Sequence, residues 1–119
     1  SFLHFFNPDC PCSRFNWPHV LSLARAHADS VDFYIVLQTD DPQAAAQWQR
    51  ENPLPAARIL TDSTGALARS AGVYSTPQAV VLDGQGRLFY RGNYNTSRYC
   101  TRKSTQFARL ALERLLAQA

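Results

Sequence analysis

Two cysteines stand two residues apart near the beginning of the chain. In the segment Phe5 to Arg14 (FFNPDCPCSR) they are Cys10 and Cys12, and they follow a short apolar run and the turn signal Asn7-Pro8. A cysteine at a helix N-terminus faces unpaired backbone N–H groups and the positive end of the helix dipole, and both favour the thiolate. Because the thiolate is the form that attacks disulfides, this pair indicates thiol–disulfide exchange. The alternative for Cys10 is a small buried apolar residue.

The close spacing of the pair limits what Cys12 can do. Side chains at positions i and i+2 point to different sides of a helix. A disulfide needs Cβ atoms roughly 3.5–4.5 Å apart, so a bond between Cys10 and Cys12 would strain or unwind the first helical turn. Strained disulfides are easily reduced. Cys12 therefore either forms an easily reduced, oxidising disulfide with Cys10 or has no role in the exchange.

A third cysteine, Cys100, lies in a polar stretch between Arg98 and Arg102. The two guanidinium groups favour its thiolate and help it act as a leaving group. Three cysteines are too few for a disulfide scaffold, and at least one must be free or paired outside the chain. Cys100 is thus a candidate resolving thiol or a structural residue.

The elements that must position these cysteines alternate between strand and helix patterns. The predicted strands are Phe2–Phe6, Val31–Leu37, Ala57–Leu60, Ala79–Leu82 and Arg87–Arg91; the predicted helices are Ser13–Asp29, Pro42–Glu51 capped by Asp41, Ser63 or Thr64 to Ala71, and Ser104–Ala117. This order predicts an α/β sandwich with a mixed central sheet in one domain, residues 1–119. We expect Phe107, Leu110, Ala111, Leu115 and Leu116 of the last helix to face the core, and His19 and His27 to lie on the surface.

Composition excludes several classes of function. The net charge of +3 comes from basic residues scattered along the chain, which argues against nucleic-acid binding. No apolar run approaches the ~20 residues of a membrane span. We expect a soluble globular monomer. Because the chain begins directly in a strand, an anchor or signal upstream of Ser1 is compatible with this sequence.

The pattern resembles the thioredoxin-like superfamily. The resemblance rests on the first strand, the cysteine pair that opens a helix, Pro18 eight residues after Cys10, and Thr76-Pro77 before a strand. Further segments resemble the extracytoplasmic redoxin, or TlpA-like, branch; they are the helix-strand insertion at 41–60, Asp62, the stretch Gly72 to Pro77 and the hairpin Gly86 to Gly92. The resemblance implies a three-layer sandwich with a mixed central sheet and an inserted helix and strand.

The resemblance also assigns roles. Cys10 occupies the position of the attacking cysteine, and Ser13 occupies that of the second cysteine, so the motif is an atypical Cys-Pro-Cys-Ser. Thr76-Pro77 corresponds to the cis-proline that faces the active cysteine, where the backbone of Thr76 can pair with an extended substrate. His4 stands six residues before Cys10, where thioredoxins bury an acid. It is either a satisfied core histidine or a proton relay.

The leading hypothesis is a thiol–disulfide oxidoreductase without cofactor or metal, in which Cys10 attacks and Cys12 or Cys100 resolves. Its partners would be protein or small-molecule disulfides and an upstream membrane reductant, in the periplasm or another extracytoplasmic compartment. One alternative is a copper(I) chaperone that uses the Cys-Pro-Cys pair, since soft thiolates suit that ion. Another is a redox-inactive thioredoxin-like binding module. A peroxiredoxin needs a threonine three residues before its cysteine, and Asn7 stands there.

Overall fold

The computed structural model describes residues 1–8, 11–27, 29–52, 57–73, 77–95 and 106–118, and it describes the backbone alone for residues 11–14, 57 and 118. Strands and helices follow one another in the predicted order. Over these ranges the elements are β1 (Phe2–Phe6), α1 (Pro11–Ala26), β2 (Phe33–Leu37), α2 (Pro42–Glu51), β3 (Ala57–Thr61), α3 (Ala66–Ala71), β4 (Gln78–Leu82), β5 (Leu88–Gly92) and α4 (Phe107–Gln118).

The strands form one sheet in the order β3-β2-β1-β4-β5. The strand β1 is parallel to β2, and β2 is parallel to β3. The strand β4 runs antiparallel to both β1 and β5. The mixed central sheet is therefore confirmed, and the insertion supplies α2 and the edge strand β3.

Alternation along β1 sends its side chains to opposite faces of the sheet. Phe2 and Phe6 pack in a cluster with residues of α1, α2 and α4. Phe5 packs on the other face with Val36, Val80 and Ala68 of α3. Helices thus cover both faces, which confirms the three-layer sandwich.

Local signals begin and end two helices as predicted. The Asp41 side chain accepts a hydrogen bond of 2.9 Å from the Gln43 N–H, and Pro42 occupies the first helical position of α2. Gly72 ends α3 in the left-handed region, with φ of 76°. The beginning of α2 thus follows from the hydrogen bonding of Asp41 and the fixed backbone of Pro42. The end of α3 follows from the backbone conformation that Gly72 adopts.

Other boundaries differ by a few residues. The helix α1 begins at Pro11 rather than Ser13 and ends at Ala26 rather than Asp29. A proline suits the first helical position because it lacks the N–H that would be unpaired there. The strand β2 begins at Phe33 because the Val31 N–H is used in the turn after α1, donating to the His27 carbonyl at 3.0 Å.

The helix α3 begins at Ala66, after Gly65, whose φ of 75° is left-handed. The strand β5 begins at Leu88, because the Arg87 N–H is held in the preceding turn by a 2.9 Å hydrogen bond to the Asp83 carboxylate. These shifts leave the order and direction of the elements unchanged.

The predicted inward face of α4 was wrong at its start. Phe107 and Leu110 are 37% and 42% exposed, whereas Ala108 and Leu112 are fully buried. This helix has apolar residues on two sides, so either side could pack against the sheet. The side that includes Ala108 and Leu112 does so. The predicted first residue, Ser104, lies outside the described residues.

Candidate active site

The segments that lead to the predicted site residues lie at one edge of the sheet, the edge formed by the carboxyl ends of its parallel strands. The parallel strands β1, β2 and β3 all end at this edge. The antiparallel strand β4 begins there, since Phe5 pairs with Gln78, and β5 ends there, since Ala79 pairs with Gly92. The chain therefore leaves the sheet toward Cys10, enters it from Pro77 and leaves it toward Cys100 at the same edge.

The structure describes only part of the predicted site. Cys10, Thr76 and Cys100 lie outside the described residues. Cys12 belongs to the first turn of α1, but its side chain is not among those described. Pro77 is described and is buried. For the cysteines and Thr76, the assigned roles stay predictions.

His4 is fully buried in the middle of β1. Its Nδ1 lies 2.6 Å from the hydroxyl oxygen of Tyr94, and its ring stacks on Phe6 at 4.9 Å between centroids. Its other nitrogen, Nε2, is also buried and has no hydrogen-bond partner among the described residues. His4 is therefore a core histidine, but only one of its two ring nitrogens is satisfied within the described residues, and the alternative of a proton relay stays a prediction.

The surroundings of His4 and Tyr94 keep both side chains neutral near pH 7. Burial, reinforced by His19, lowers the pKa of His4 to about 3. Burial, reinforced by Tyr90, raises the pKa of Tyr94 well above its usual value. An imidazole and a phenol, rather than their ions, therefore meet in the core.

His19 is not the surface residue that was expected. Its ring contacts Tyr94 edge-on at 5.8 Å between centroids, and its Nε2 is buried with no hydrogen-bond partner within the described part of the chain. Burial and the nearby Arg109 lower its pKa. The reason is helical spacing, because His19 lies three residues after Asn16 and four before Leu23, which are both buried.

Tyr94 is the residue that sequence reasoning missed. It lies in a polar stretch predicted as a loop, yet only 3% of it is exposed. Its carbonyl accepts a 3.0 Å hydrogen bond from the N–H of Phe107, so the chain returns to this point when α4 begins. An aromatic residue in a polar stretch is a weak signal of burial, and nothing in the sequence connects Tyr94 with His4, which lies 90 positions away.

Beside Pro77, a second polar contact ties the beginning of β4 to the end of β5. Gln78 is fully buried, and its Nε2 donates a 2.9 Å hydrogen bond to Oδ1 of Asn93. The hydroxyl of Tyr90 donates to the Asn93 carbonyl at 2.6 Å. These bonds fix the backbone at the edge where Pro77 enters the sheet.

Asp62, singled out by the resemblance, supports α3. Its carboxylate accepts hydrogen bonds of 3.1 and 3.0 Å from the N–H groups of Leu67 and Ala68, and a third of 3.0 Å from the Gln38 amide. Desolvation works to raise its pKa, but the Ala68 and Leu67 N–H groups and the Gln38 amide outweigh this, so the pKa is lowered. The role visible in the structure is that of a helix cap.

An open cleft of about 700 Å³ lies next to the ends of β2 and β3, against α2. Its lining is mixed: hydroxyl groups from Thr39, Thr61 and Ser63, the charged Asp40 and Arg50, and several apolar side chains. The cleft is at the same edge of the sheet as the segments that lead to the cysteines, and is large enough for a small ligand or a few residues of peptide.

Two kinds of feature are absent from the described residues. They contain no group of three or more His, Cys, Asp or Glu side chains that could hold a metal ion. None of the helices in this part of the chain combines the length and apolar character that a membrane span requires.

Among curated proteins, the chain is similar to the thiol:disulfide interchange protein DsbE of Pseudomonas aeruginosa strain PAO1. The two are 32% identical over 82 residues, which is 69% of this chain and 44% of the relative. The match therefore spans less than half the length of that protein.

Solved structures share the fold over nearly the whole chain. An uncharacterized conserved protein from Geobacillus kaustophilus matches with a TM-score of 0.83 and 23% identity, covering 98% of this chain and 67% of that one. The pneumococcal exposed lipoprotein thioredoxin Etrx1 of Streptococcus pneumoniae strain TIGR4 matches with a TM-score of 0.71 and 17% identity, covering 94% of this chain and 82% of that one.

These likenesses agree with the topology described above, and the fold is thioredoxin-like. Across residues 1–119 the sequence also matches a family described as Domain of unknown function (DUF6436). The chain belongs to that family.

Proposed function

We propose that the protein is a thiol–disulfide oxidoreductase in which Cys10 is the attacking thiol. The observation that supports this most is the convergence at one sheet edge: β1 leads into the cysteine segment, Pro77 enters β4 and β5 leads toward Cys100. Similarity to a thiol:disulfide interchange protein supports the same class of reaction. The start of α1 directly after Cys10 favours a thiolate there, because helix N-termini stabilise negative charge.

The reaction proceeds in two exchanges. The Cys10 thiolate attacks one sulfur of a substrate disulfide; a mixed disulfide forms, the substrate S–S bond breaks, and the other sulfur leaves as a thiolate. A second thiolate of the protein then attacks Cys10 in the mixed disulfide and releases the first substrate sulfur. The protein is oxidised by two electrons and the substrate is reduced by two. In the opposite direction the same steps oxidise a substrate dithiol.

The second thiol is assigned to Cys100, with Cys12 as the competing candidate. The stretch toward Cys100 leaves the sheet at the edge described above, and it begins beside His4, because Tyr94 contacts that residue. Cys100 lies six residues after Tyr94, and six residues can extend to about 20 Å. Cys12 lies in the first turn of a regular helix, which a bond to Cys10 would distort.

Substrate binding is assigned to Thr76 and Pro77. Pro77 is buried next to Gln78, which is held by Asn93, so the backbone at this edge has a fixed position. An extended substrate segment could pair with the backbone of Thr76 by strand addition. His4 is also assigned to the site, because its buried Nε2 has no hydrogen-bond partner among the described residues.

The location is proposed to be extracytoplasmic, with substrate disulfides in that compartment and electrons from an upstream membrane reductant. The support is similarity to an exposed lipoprotein thioredoxin and to an interchange protein. Such compartments are where structural disulfides form and need exchange.

The test compares wild type with Cys10→Ser, Cys12→Ser and Cys100→Ser in matched redox buffers. Reduction of a model peptide disulfide is followed by chromatography, and the pairing of the oxidised cysteines is mapped by mass spectrometry. Loss of exchange in Cys10→Ser is expected, and full activity of that variant would refute the proposal. The intramolecular bridge should vanish in Cys100→Ser and persist in Cys12→Ser; the reverse pattern would make Cys-Pro-Cys the working pair.

A further inference from the structure

The hydrogen bond between His4 and Tyr94 constrains which nitrogen of His4 carries the proton. A neutral imidazole holds one proton, on either Nδ1 or Nε2, and the bare nitrogen is an acceptor. A phenol can donate one hydrogen bond and also accept. The contact joins Nδ1 to the Tyr94 oxygen at 2.6 Å, and Nε2 has no partner in the described ranges.

Counting the buried donors and acceptors separates the two tautomers. If Nδ1 carries the proton, it donates to Tyr94; the phenol proton and the bare Nε2 are then both left without partners among the described residues. If Nε2 carries the proton, Tyr94 donates to Nδ1, and Nε2–H alone is left. Each unsatisfied buried polar group is costly, so the arrangement with one such group is favoured over the arrangement with two.

We propose that Tyr94 is a positioning residue that holds His4 in its Nε2–H tautomer, so that the buried imidazole serves the exchange reaction as a hydrogen-bond donor to a thiolate and not as a base. The role as a donor to a thiolate rests on the proposed function. The assignment of the tautomer does not depend on it. While Tyr94 donates to Nδ1 and a proton occupies Nε2, neither nitrogen can take a proton from a thiol.

The charges around the pair agree with this role. Burial keeps His4 neutral and keeps the phenol of Tyr94 protonated. Of the other elements, α1 brings His19 against Tyr94, and His19 has Arg109 of α4 nearby. A hydrogen bond given to a thiolate stabilises the charged form and lowers the pKa of the thiol. A buried carboxylate at this position would act in the opposite sense, because its negative charge disfavours a nearby thiolate.

The tautomer can be read directly by nuclear magnetic resonance. In the ¹⁵N-labelled reduced protein, long-range ¹H–¹⁵N correlation spectra near neutral pH distinguish a protonated from an unprotonated ring nitrogen, and the loss of one ring system in His4→Asn assigns the signals. We expect Nε2 protonated and Nδ1 bare in the wild type. In Tyr94→Phe the bias is removed, and the two nitrogen signals should move toward each other.

Tyr90→Phe is the matched control. It also deletes one tyrosine hydroxyl with a 2.6 Å hydrogen bond, but that hydroxyl donates to the Asn93 carbonyl and not to His4. Its His4 spectrum should equal that of the wild type. A wild-type spectrum with Nδ1 protonated overturns the proposal even if Tyr94→Phe fails to fold, and an Nε2–H tautomer that persists unchanged in Tyr94→Phe removes the positioning role of Tyr94.

The donor role is tested by the pH dependence of Cys10 alkylation in the same variants. The midpoint should move to higher pH in Tyr94→Phe and stay at the wild-type value in Tyr90→Phe. An unmoved or lowered midpoint in Tyr94→Phe refutes donation to the thiolate. This outcome is distinct from failure of the proposed function, which appears as absence of disulfide exchange in the wild type.

Discussion

Replacing His4 by phenylalanine removes a titratable group from the centre of the sheet and keeps an aromatic ring between Phe6 and Tyr94. The folded protein holds the pKa of His4 at about 3, against an ordinary value of 6.5. Because the folded pKa is lowered, the unfolded chain binds the proton more readily. The contribution of a neutral His4 is therefore complete above pH 6.5 and declines as the pH falls toward 3.

The expected magnitude follows from these two pKa values. Each pH unit between the two pKa values changes the free energy of unfolding by about 1.4 kcal/mol. Lowering the pH from about 7.5 to about 4.5 crosses roughly two units below the unfolded pKa, so the wild type should lose about 2.5–3 kcal/mol through His4. A folded pKa one unit higher would change this figure by only a few tenths of a kcal/mol, since pH 4.5 would still lie above it.

Phenylalanine has its own cost near neutral pH. It leaves the buried Tyr94 hydroxyl without its acceptor, which costs about 1–3 kcal/mol. His4→Phe should therefore be less stable than the wild type at about pH 7.5 and should equal or exceed it at about pH 4.5. Adding Tyr94→Phe removes the stranded hydroxyl and should restore part of the loss without restoring the pH dependence.

The measurement is urea unfolding of the reduced proteins, followed by circular dichroism at several pH values across this range. The free energy of unfolding of His4→Phe is subtracted from that of the wild type at each pH. His27→Gln, a change at a half-buried histidine just after α1, is measured alongside as the control for replacing a histidine elsewhere in the chain. A wild-type minus His4→Phe difference that stays constant across the range would refute the burial argument, and one that grows in acid would reverse its sign.

Three further predictions concern other residues. Asp62→Ala should lower the free energy of unfolding near neutral pH by about 1–3 kcal/mol, because two N–H groups of α3 lose their acceptor; Asp62→Asn keeps an acceptor and should lose less, and equal urea midpoints for all three proteins would contradict the cap. Cys10 should be the thiol alkylated fastest by iodoacetamide near neutral pH, read by mass spectrometry, and faster modification of Cys12 or Cys100 would contradict its assignment as the attacking cysteine. Copper(I) binding should be weak in a competition titration; tight one-to-one binding that is lost in Cys12→Ser and kept in Cys100→Ser would instead support a copper chaperone.

The sequence predicted the fold through local patterns that each depend on a few residues. The apolar run Phe2 to Phe6 indicated β1, and Asp41-Pro42 marked the beginning of α2. The inward face of α4 could not be predicted in this way, because apolar residues on two sides of the helix allow two phases. Its orientation is decided by the sheet on which it packs.

The polar core of the candidate site also lay beyond sequence reasoning. The resemblance indicated His4 as a buried residue, but its contact with Tyr94 joins positions far apart in the chain. No sequence pattern predicts that His4 and Tyr94 are in contact. None predicts that His19 contacts Tyr94 either. Contacts of this kind are set by how strands and helices pack, so they become visible only when the fold is assembled.

The hydrogen bond from the Phe107 N–H to the Tyr94 carbonyl ties the first residue of α4 to the residue that contacts His4. The position of the last helix and the position of the buried histidine are therefore coupled. A substitution that displaces the beginning of α4 should also disturb the contact between Tyr94 and His4 in the centre of the sheet.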